Sequence, residues 1–269
     1  MLKKILLGTF LVSLLSTSLI LMADDQSLTG KEIVVLAKNS NHLDKSIVWA
    51  KMTVLDKGKE IESRMIIQKT IYINGKQKML ARFMDGLKRN VTSLSVEREE
   101  NEDNLQYVFV PGVGRPRQVD ASEKQNEFED TDFSYEEMGS AKIEDYQYKR
   151  EKDEKIKISG EEFDCYFITA LHKNSEAKFP KKKIWIDKKT MIPVQMKIYG
   201  KDQKLKKIMV SLKIKEVKKG IFTPQFIYIK NMESNHETKN ILTKIVIDSS
   251  DIKESDFTQQ NMAKPWKEN

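Results

Sequence analysis

Hydrophobic and polar side chains alternate with a period of two along most of the chain, and this alternation predicts β-strands. In the first half the alternating segments are residues 46–56, 60–73, 76–84, 91–98 and 104–110. Asn74 and Gly75 separate two of these segments, and an Asn-Gly pair is typical of a tight two-residue hairpin. We therefore predict an antiparallel meander in which each strand pairs with the next one along the chain.

Strand patterns also dominate the second half of the sequence. They cover residues 162–172, 182–187, 192–199, 206–218, 222–231 and 236–248, with turn signals between them. Residues 143–158 are predicted to form a hairpin of their own. The two halves are joined through residues 111–116, whose two prolines and two glycines cannot lie inside a sheet.

Two segments carry helix signals instead. Thr29 and Glu32 have the spacing of a capping box, and apolar side chains follow them at helical spacing. Thr131 or Asp132 can cap a second, short helix whose apolar side chains lie within residues 133–138. We therefore predict one amphipathic helix at the start of the domain and one short helix near its middle.

The predicted fold class is mainly β with a few helices (α+β), a curved antiparallel sheet packed on helices along one side. Residues 47–55 and 226–229 carry apolar side chains on both faces, whereas residues 206–215 look half exposed. Large apolar and aromatic side chains line the inner face of such a sheet. That lining is either an ordinary core or a cavity for an apolar ligand, and the pattern leaves both interpretations open.

If the inner face holds a cavity, aromatic and methionine side chains on the strands are the candidates for its lining. We place nearest to it Trp49, Trp185, Phe133 and Tyr135, followed by Met65, Phe83, Tyr107, Phe109 and Tyr228. Arg115 and Arg117 lie in and just after the proline-glycine loop, and they are candidates for contact with a lipid headgroup or an acidic partner. Plain core packing, or a solvated charge for the arginines, is the alternative at every one of these positions.

The first residues of the sequence predict an export signal. Two lysines precede an apolar stretch over residues 5–22, and the small residue Ala23 is followed by acidic and polar side chains. We predict cleavage after Ala23, which divides the chain into a signal peptide (residues 1–23) and one domain (residues 24–269). An uncleaved anchor is the alternative, because the apolar stretch approaches the roughly 20 residues that span a bilayer. The expected location is the periplasm of a Gram-negative-type bacterium.

Composition narrows the functional classes further. Cys165 is the single cysteine, so no disulfide forms within the chain, and we expect a buried, inert thiol. The formal net charge is +7, but the basic residues are spread over alternating strands, which does not indicate nucleic-acid binding. Attraction to anionic lipid headgroups is compatible with this charge, although the sequence shows no compact polybasic patch. We expect a monomer.

The sequence contains few signs of catalysis. Its three histidines, His42, His172 and His236, lie in unrelated segments without a metal-ligand spacing. Acidic side chains cluster around Glu127, but they lack the ligand spacing of a calcium-binding loop. The sequence also lacks a Gly-x-Ser-x-Gly nucleophile motif and a phosphate-binding glycine loop. We therefore expect a non-enzymatic protein with no cofactor and no bound metal.

Several segments resemble the periplasmic outer membrane lipoprotein-sorting proteins, relatives of the lipoprotein carrier LolA. The resemblance rests on residues 107–117 (YVFVPGVGRPR), 128–138 (FEDTDFSYEEM), 183–193 (KIWIDKKTMIP) and 220–224 (GIFTP). The stretch from Thr131 to Glu136 is its most specific part. The chain departs from the family pattern at Asp130, where a small residue, often glycine, is usual.

The resemblance implies an incomplete antiparallel barrel wrapped round helices, with an apolar concavity that holds acyl chains. The implied function is a periplasmic carrier that binds the acyl chains of lipids or lipoproteins and transfers them towards the outer membrane. Its partners would be an inner-membrane transporter complex and an outer-membrane acceptor. Two alternatives stay open: a periplasmic sensor or adaptor that binds a membrane-protein partner, and a hydrolase with an unrecognised site.

Overall fold

The computed structural model of the protein describes residues 27–100, 102–139 and 142–266. Among these residues the chain forms fourteen β-strands in one antiparallel sheet and two α-helices. The predicted signal peptide and its cleavage site at Ala23 lie outside the described residues. Neither of the two helices in the described part of the chain is long and apolar enough to cross a membrane.

The strands divide into two groups along the chain. The first group is β1 (Lys45–Asp56), β2 (Lys59–Ile73), β3 (Lys76–Phe83), β4 (Thr92–Val96), β5 (Leu105–Phe109) and β6 (Arg117–Gln118). The second group is β7 (Tyr146–Arg150), β8 (Glu154–Ile158), β9 (Glu161–His172), β10 (Lys181–Asp187), β11 (Pro193–Tyr199), β12 (Leu205–Lys218), β13 (Ile221–Asn231) and β14 (His236–Ile247). The helices are α1 (Gly30–Ser40) and α2 (Gln259–Met262).

The strand order is β6-β5-β4-β3-β2-β1-β14-β13-β12-β11-β10-β9-β7, and β8 also pairs with β9. Strands β1 to β6 form one meander and β9 to β14 form another, and the two meet in the middle of the sheet because β1 pairs with β14. The sheet stays open, with β6 at one edge and β7 and β8 at the other. The prediction of a mainly β fold with an incomplete antiparallel barrel and few helices is confirmed.

Two local predictions are confirmed by the backbone. Thr29 Oγ1 accepts a hydrogen bond from the Glu32 N–H at 3.3 Å, and the Glu32 carboxylate accepts one from the Thr29 N–H at 2.8 Å. This reciprocal pair is the capping box at the start of α1. Asn74 and Gly75 have φ angles of 51° and 75°, as a two-residue type I′ hairpin between β2 and β3 requires.

The predicted hairpin over residues 143–158 is wrong. Its two strands, β7 and β8, do not pair with each other, and both pair with β9. Strand β9 has 12 residues and is long enough to hold β7 along its second half and β8 along its first half. The real hairpin joins β8 to β9 through Ser159 and Gly160, which both have positive φ. Alternation identifies a strand but not its partner.

The predicted second helix is also wrong, because the segment forms consecutive turns. Thr131 Oγ1 donates to the Phe128 carbonyl at 2.7 Å, and the Asp132 carboxylate accepts a hydrogen bond from Thr238 Oγ1 of β14 at 2.8 Å. The two candidate caps thus bind a turn and a distant strand. Ser134, inside the predicted helix, instead forms an isolated antiparallel bridge with Glu127. The two residues before Thr131 have φ of 47° and 61°, in the left-handed region. The second of them is Asp130, so the backbone there is one that glycine adopts without strain.

Residues 119–139, called here the inner segment, lie against one face of the sheet and contact both strand groups. The Glu129 carbonyl accepts a hydrogen bond from Arg64 of β2, and the Asp132 carbonyl accepts one from Lys207 of β12, both at 2.6 Å. A segment that touches both groups from the same side shows that this face is concave. The inner segment therefore fills the concavity beside β1 to β5.

The opposite, convex face carries two buried apolar clusters. Residues 249–266, called here the C-terminal segment, pack Ile252, Phe257 and Met262 against outward side chains of β1 to β5. On the other strand group, Cys165 and Trp185 belong to a convex apolar cluster built from β8 to β13 and the turn before β11. Cys165 is fully buried, as predicted, and burial raises the pKa of its thiol to about 12.

Candidate functional site

An apolar cavity of about 380 Å³ lies between α1 and the concave face of the second strand group. This volume falls within the usual range of small-molecule sites. Its apolar lining consists of Val34, Ala37, Tyr72, Ile143, Tyr146, Tyr148, Ala170, Ile184, Ile186, Pro193 and Met196. The strands supply the floor of the cavity and α1 supplies its cover.

Helix α1 is held over the sheet at its first turn. Gly30 begins the helix against β7, and a Cβ at this position would lie only 2.8 Å from the Arg150 backbone nitrogen. Ile33 follows one turn later and is fully buried beside Tyr146 and Ile168. The Arg150 guanidinium donates to the Leu28 carbonyl at 3.2 Å, which ties the entry of the helix to the same strand.

A buried ion pair forms one wall of the apolar cavity. Lys182 lines the cavity, and its Nζ lies 3.0 Å from Glu136 Oε1, which also accepts a hydrogen bond from the Tyr146 hydroxyl at 3.0 Å. Burial is the strongest single influence on Lys182 and lowers its pKa, but the Glu136 carboxylate together with Tyr146 and Glu137 outweighs burial, so the pKa is raised. Burial alone would raise the pKa of Glu136, and Lys182 in turn lowers it. Both partners are therefore ionised at neutral pH.

A second, polar cavity of about 480 Å³ lies on the other side of this ion pair. Glu136 lines it together with Gln125 and His172. Gln125 Oε1 accepts a hydrogen bond from the Phe179 N–H at 3.0 Å, whereas its buried Nε2 has no hydrogen-bond partner in the described part of the chain. The two cavities meet at Glu136 and Lys182, so the concavity has an apolar compartment and a polar one.

A family model with the description "Uncharacterized protein" matches residues 75–264. The chain belongs to this family. A search of curated proteins finds no match.

Three solved structures share the architecture and place the chain among the LolA-like folds. A domain described as that of an outer membrane lipoprotein-sorting protein from Vibrio parahaemolyticus has a TM-score of 0.77 at 19% identity, covering 87% of this chain and 97% of that chain. A DUF1329 family protein from Desulfovibrio piger gives 0.76 at 18% identity, with coverages of 87% and 97%. A LolA superfamily protein from Nitrosomonas europaea gives 0.65 at 15% identity, with coverages of 87% and 99%. At these identities the likeness establishes the fold.

Three of the nine candidate lining residues lie on the concave side of this LolA-like fold. Phe83, Phe133 and Tyr135 are buried around Phe128, whose ring centroid lies 5.7 Å from that of Phe83 and 5.3 Å from that of Tyr135. The inner segment therefore occupies the space that these side chains face. They form a packed core beside the apolar cavity and do not line it.

The other six candidates point to the convex face. Trp49, Tyr107 and Phe109 pack with the C-terminal segment, and Trp185 and Tyr228 belong to the cluster around Cys165. Met65 is on the same face by its register with Lys51. The period of two marks both faces of a strand equally, and apolar residues occupy both faces here. The nine candidates are therefore divided among separate clusters and do not form one site. Their role in ligand binding stays a prediction.

The two candidate arginines lie near β6. Arg117 forms an ion pair with Glu123 at 2.8 Å, and Arg115 is exposed in the turn before the strand. Neither lines the apolar cavity or the polar one. Their contact with a headgroup or an acidic partner stays a prediction.

Sequence reasoning missed the tyrosines of the apolar cavity. Tyr146 and Tyr148 alternate along β7 and could have been found from their spacing, but the segment was interpreted as a hairpin without a ligand role. Tyr72 lies at the end of β2, far away in the sequence, and only the curvature of the sheet brings it to the same cavity.

Proposed function

We propose that the protein is a non-enzymatic periplasmic carrier that binds an acyl chain of a lipid or lipoprotein in the cavity beneath α1. The observation that carries this proposal is the apolar lining of that cavity within the concavity of a LolA-like sheet. The likeness to a domain described as lipoprotein-sorting supports the class of cargo. Lys182, at one wall of the cavity, gives an amphiphilic ligand a polar neighbour beside the apolar lining.

The energetics of such binding are sufficient without a catalytic or covalent group. Each buried methylene contributes about 0.8 kcal/mol, so a chain of a few carbons already offsets part of the entropy that the ligand loses. Release then needs a state of the protein with lower affinity for the chain. Movement of α1 away from β7 would open the cavity, and an inner-membrane donor and an outer-membrane acceptor are the proposed partners that would use it.

The test is native mass spectrometry with lipid extraction on protein purified from the periplasm without detergent. Met196 lines the cavity and Met65 lies on the convex face outside it, and both are partly exposed. We expect bound phospholipid or acylated peptide in the wild type, loss of it in Met196→Glu, and retention in Met65→Glu. Both variants first need a thermal melt that shows an intact fold.

Two outcomes would contradict the proposal. A clean apo mass, with no uptake of added lipid, would remove the carrier function and favour an adaptor that binds a membrane protein. Loss of lipid in Met65→Glu but not in Met196→Glu would move the binding site to the convex residues that the sequence suggested.

A further inference from the structure

A third cavity, a cleft of about 870 Å³, lies on the convex face between the C-terminal segment and the strands β1 to β3 and β14. This volume is in the upper part of the range for small-molecule sites. The apolar side chains at its floor come from the strands and are Ile47, Ile67, Leu80 and Val246. Its rim is mostly polar and comes from residues 249–266. The cleft is on the opposite face of the sheet from the cavity beneath α1, so the two are separate sites.

Two tryptophans line this cleft and are accessible from it. Trp49 belongs to β1 and Trp266 to the C-terminal segment, and both are partly exposed. Trp185, the third tryptophan of the chain, is only 5% exposed. A partly exposed tryptophan in a cleft offers a ligand a large, rigid apolar surface. The cleft therefore has apolar surface both at its floor and on two rings beside it.

A lysine lies over each of these two rings. Lys244 Nζ is 4.4 Å from the Trp49 ring centroid, and Lys69 Nζ is 4.8 Å from the Trp266 ring centroid. Strand register fixes both lysines in the cleft, because Lys244 lies directly opposite Trp49 and Lys69 lies directly opposite Ile47. Neither lysine forms an ion pair with a carboxylate of the described chain. A ring takes up only one side of an ammonium group, so N–H donors of both lysines remain for an anion.

Positive charge predominates in the cleft. The charged residues of its lining are four lysines and two aspartates, namely Lys69, Lys244, Lys253, Lys264, Asp251 and Asp256. Asp256 is already engaged, since its carboxylate accepts a hydrogen bond from the Lys253 backbone N–H at 3.0 Å. Lys264 is exposed and has no ion pair within the ranges that the structure describes. The lysines come from β2, β14 and the C-terminal segment, and for this reason the linear sequence does not show them as one cluster.

We propose that this tryptophan-lysine cleft (Trp49, Lys69, Lys244, Lys264 and Trp266) binds a small organic anion that has an apolar body. The ammonium groups of Lys69, Lys244 and Lys264 bind the anionic group, and the apolar body packs on the floor and against the two indole rings. Charge complementarity favours an anion over a neutral molecule of the same shape. The inference does not rest on the carrier function, because no residue of the cleft lines the cavity beneath α1.

The test is a fluorescence titration with two probes, anilinonaphthalene sulfonate and phenylnaphthylamine, which has the same rings but no sulfonate. We expect the sulfonate probe to bind wild type with an affinity that falls as the salt concentration rises. The double variant K69Q/K244Q should lose about 10-fold in affinity for the sulfonate probe, because each partly exposed charge pair contributes roughly threefold. Its affinity for the neutral probe should not change.

The matched control is K183Q/K197Q, which removes two lysines that also lie over aromatic rings of the convex face but outside the cleft. It has the same net charge as K69Q/K244Q and should bind the sulfonate probe as wild type does. Met196→Glu changes only the cavity beneath α1 and should also leave this binding unchanged. A thermal melt of each variant first establishes that its fold is intact.

Four results would overturn the proposal. Wild type may fail to bind the sulfonate probe, or K69Q/K244Q may bind it with unchanged affinity. An equal loss in the two double variants would indicate a general effect of net charge. Loss of the sulfonate probe in Met196→Glu would place it in the cavity beneath α1. Failure of the cleft is thus distinguishable from failure of the carrier proposal, which is tested by bound lipid and not by these probes.

Discussion

The two halves of the sheet differ in what packs against their faces. Strands β1 to β5 have the inner segment on the concave face and the C-terminal segment on the convex face. The second strand group has α1 on its concave face, with a cavity of about 380 Å³ beneath the helix, and its convex cluster is built from its own strands and the turn before β11. One half therefore lies between two further segments of the chain, whereas the other holds a cavity on its concave face.

Positive charges on the convex face show the same difference. Arg82 of β3 is buried, and its guanidinium donates to the Met262 and Lys264 carbonyls at 2.6 Å and 2.7 Å and lies over the Trp266 ring. In the second group, Lys183 and Lys197 are partly exposed, and their ammonium groups lie over the Phe167 and Trp185 rings. A buried cation that donates hydrogen bonds to a covering segment, as Arg82 does, contributes strongly to stability. A partly exposed cation that lies over an aromatic ring contributes little.

The largest expected effect comes from the buried cation of the covered half. Arg82→Met leaves the Met262 and Lys264 carbonyls without their donor, so we expect a loss of about 3 kcal/mol in the free energy of unfolding. Burial lowers the pKa of Arg82 to about 10, so the group is still charged at neutral pH. Urea unfolding at neutral pH measures the loss. Lys183→Met, on the convex face of the second strand group, is the matched control and should change stability by less than about 0.5 kcal/mol.

Similar effects of Arg82→Met and Lys183→Met would contradict this expectation. They would mean that the hydrogen bonds from Arg82 to the C-terminal segment add little to the stability of the protein. A large effect of Arg82→Met together with a small one of Lys183→Met would show that the C-terminal segment stabilises the half of the sheet that it covers.

The ion pair at the wall of the apolar cavity gives the next effect. Glu136→Gln keeps a hydrogen-bond acceptor for Lys182 but removes the charge, and we expect a loss of about 2 kcal/mol at neutral pH, below the cost of deleting a partner of a buried pair. Because the folded-state pKa of Glu136 is lowered, its carboxylate stabilises the protein above the ordinary glutamate pKa. That stabilisation is lost as the pH falls through the folded pKa. The stability of wild type and variant should therefore converge in acid, and parallel pH profiles would show that Glu136 is not the titrating group.

A smaller effect is expected where α1 meets β7. Gly30→Ala should destabilise by about 1 to 2 kcal/mol, because the added Cβ overlaps the Arg150 backbone. Helix propensity alone favours alanine over glycine by about 1 kcal/mol, so the sign of the change separates packing from propensity. Lys31→Ala, at the next and exposed position of the helix, serves as the control. If Gly30→Ala stabilises the protein, α1 is not held by this close approach.

Much of this fold follows from the local pattern. The alternation of apolar and polar side chains predicted the strands. Asn74-Gly75 predicted a hairpin, and the Thr29–Glu32 capping box predicted the start of a helix. Each of these features is determined by residues a few positions apart. Partners and faces were harder to obtain. The pairing of β7 with β9 and the convex position of Trp185 depend on the curvature of the whole sheet, which no short stretch of sequence encodes.

The sequence predicted the kind of site, an apolar concavity, but not the residues that line it. An apolar concavity was expected, yet the candidate phenylalanines near it pack on the inner segment, and the lining comes from Tyr72, Tyr146 and Tyr148. The inner segment was interpreted as a helix, because Thr131 and Asp132 have the composition of caps. Their hydrogen bonds to Phe128 and Thr238 show that the same side chains can instead fix a turn against a strand.

The smallest effect concerns the residue at which the chain departs from the family pattern. Asp130 has a φ of 61° and forms an ion pair with Lys88 at 2.8 Å. Asp130→Gly loses this exposed ion pair, worth less than about 1 kcal/mol, but accepts the backbone without strain, so its stability should stay within about 0.5 kcal/mol of wild type. Asp130→Ala loses the same pair and keeps a Cβ in the left-handed region, so it should cost about 1 kcal/mol. Thermal unfolding of the three proteins tests the difference. Equal losses in the two variants would mean that the ion pair matters at this position, whereas a loss in alanine alone means that the turn requires a backbone conformation and not a particular side chain.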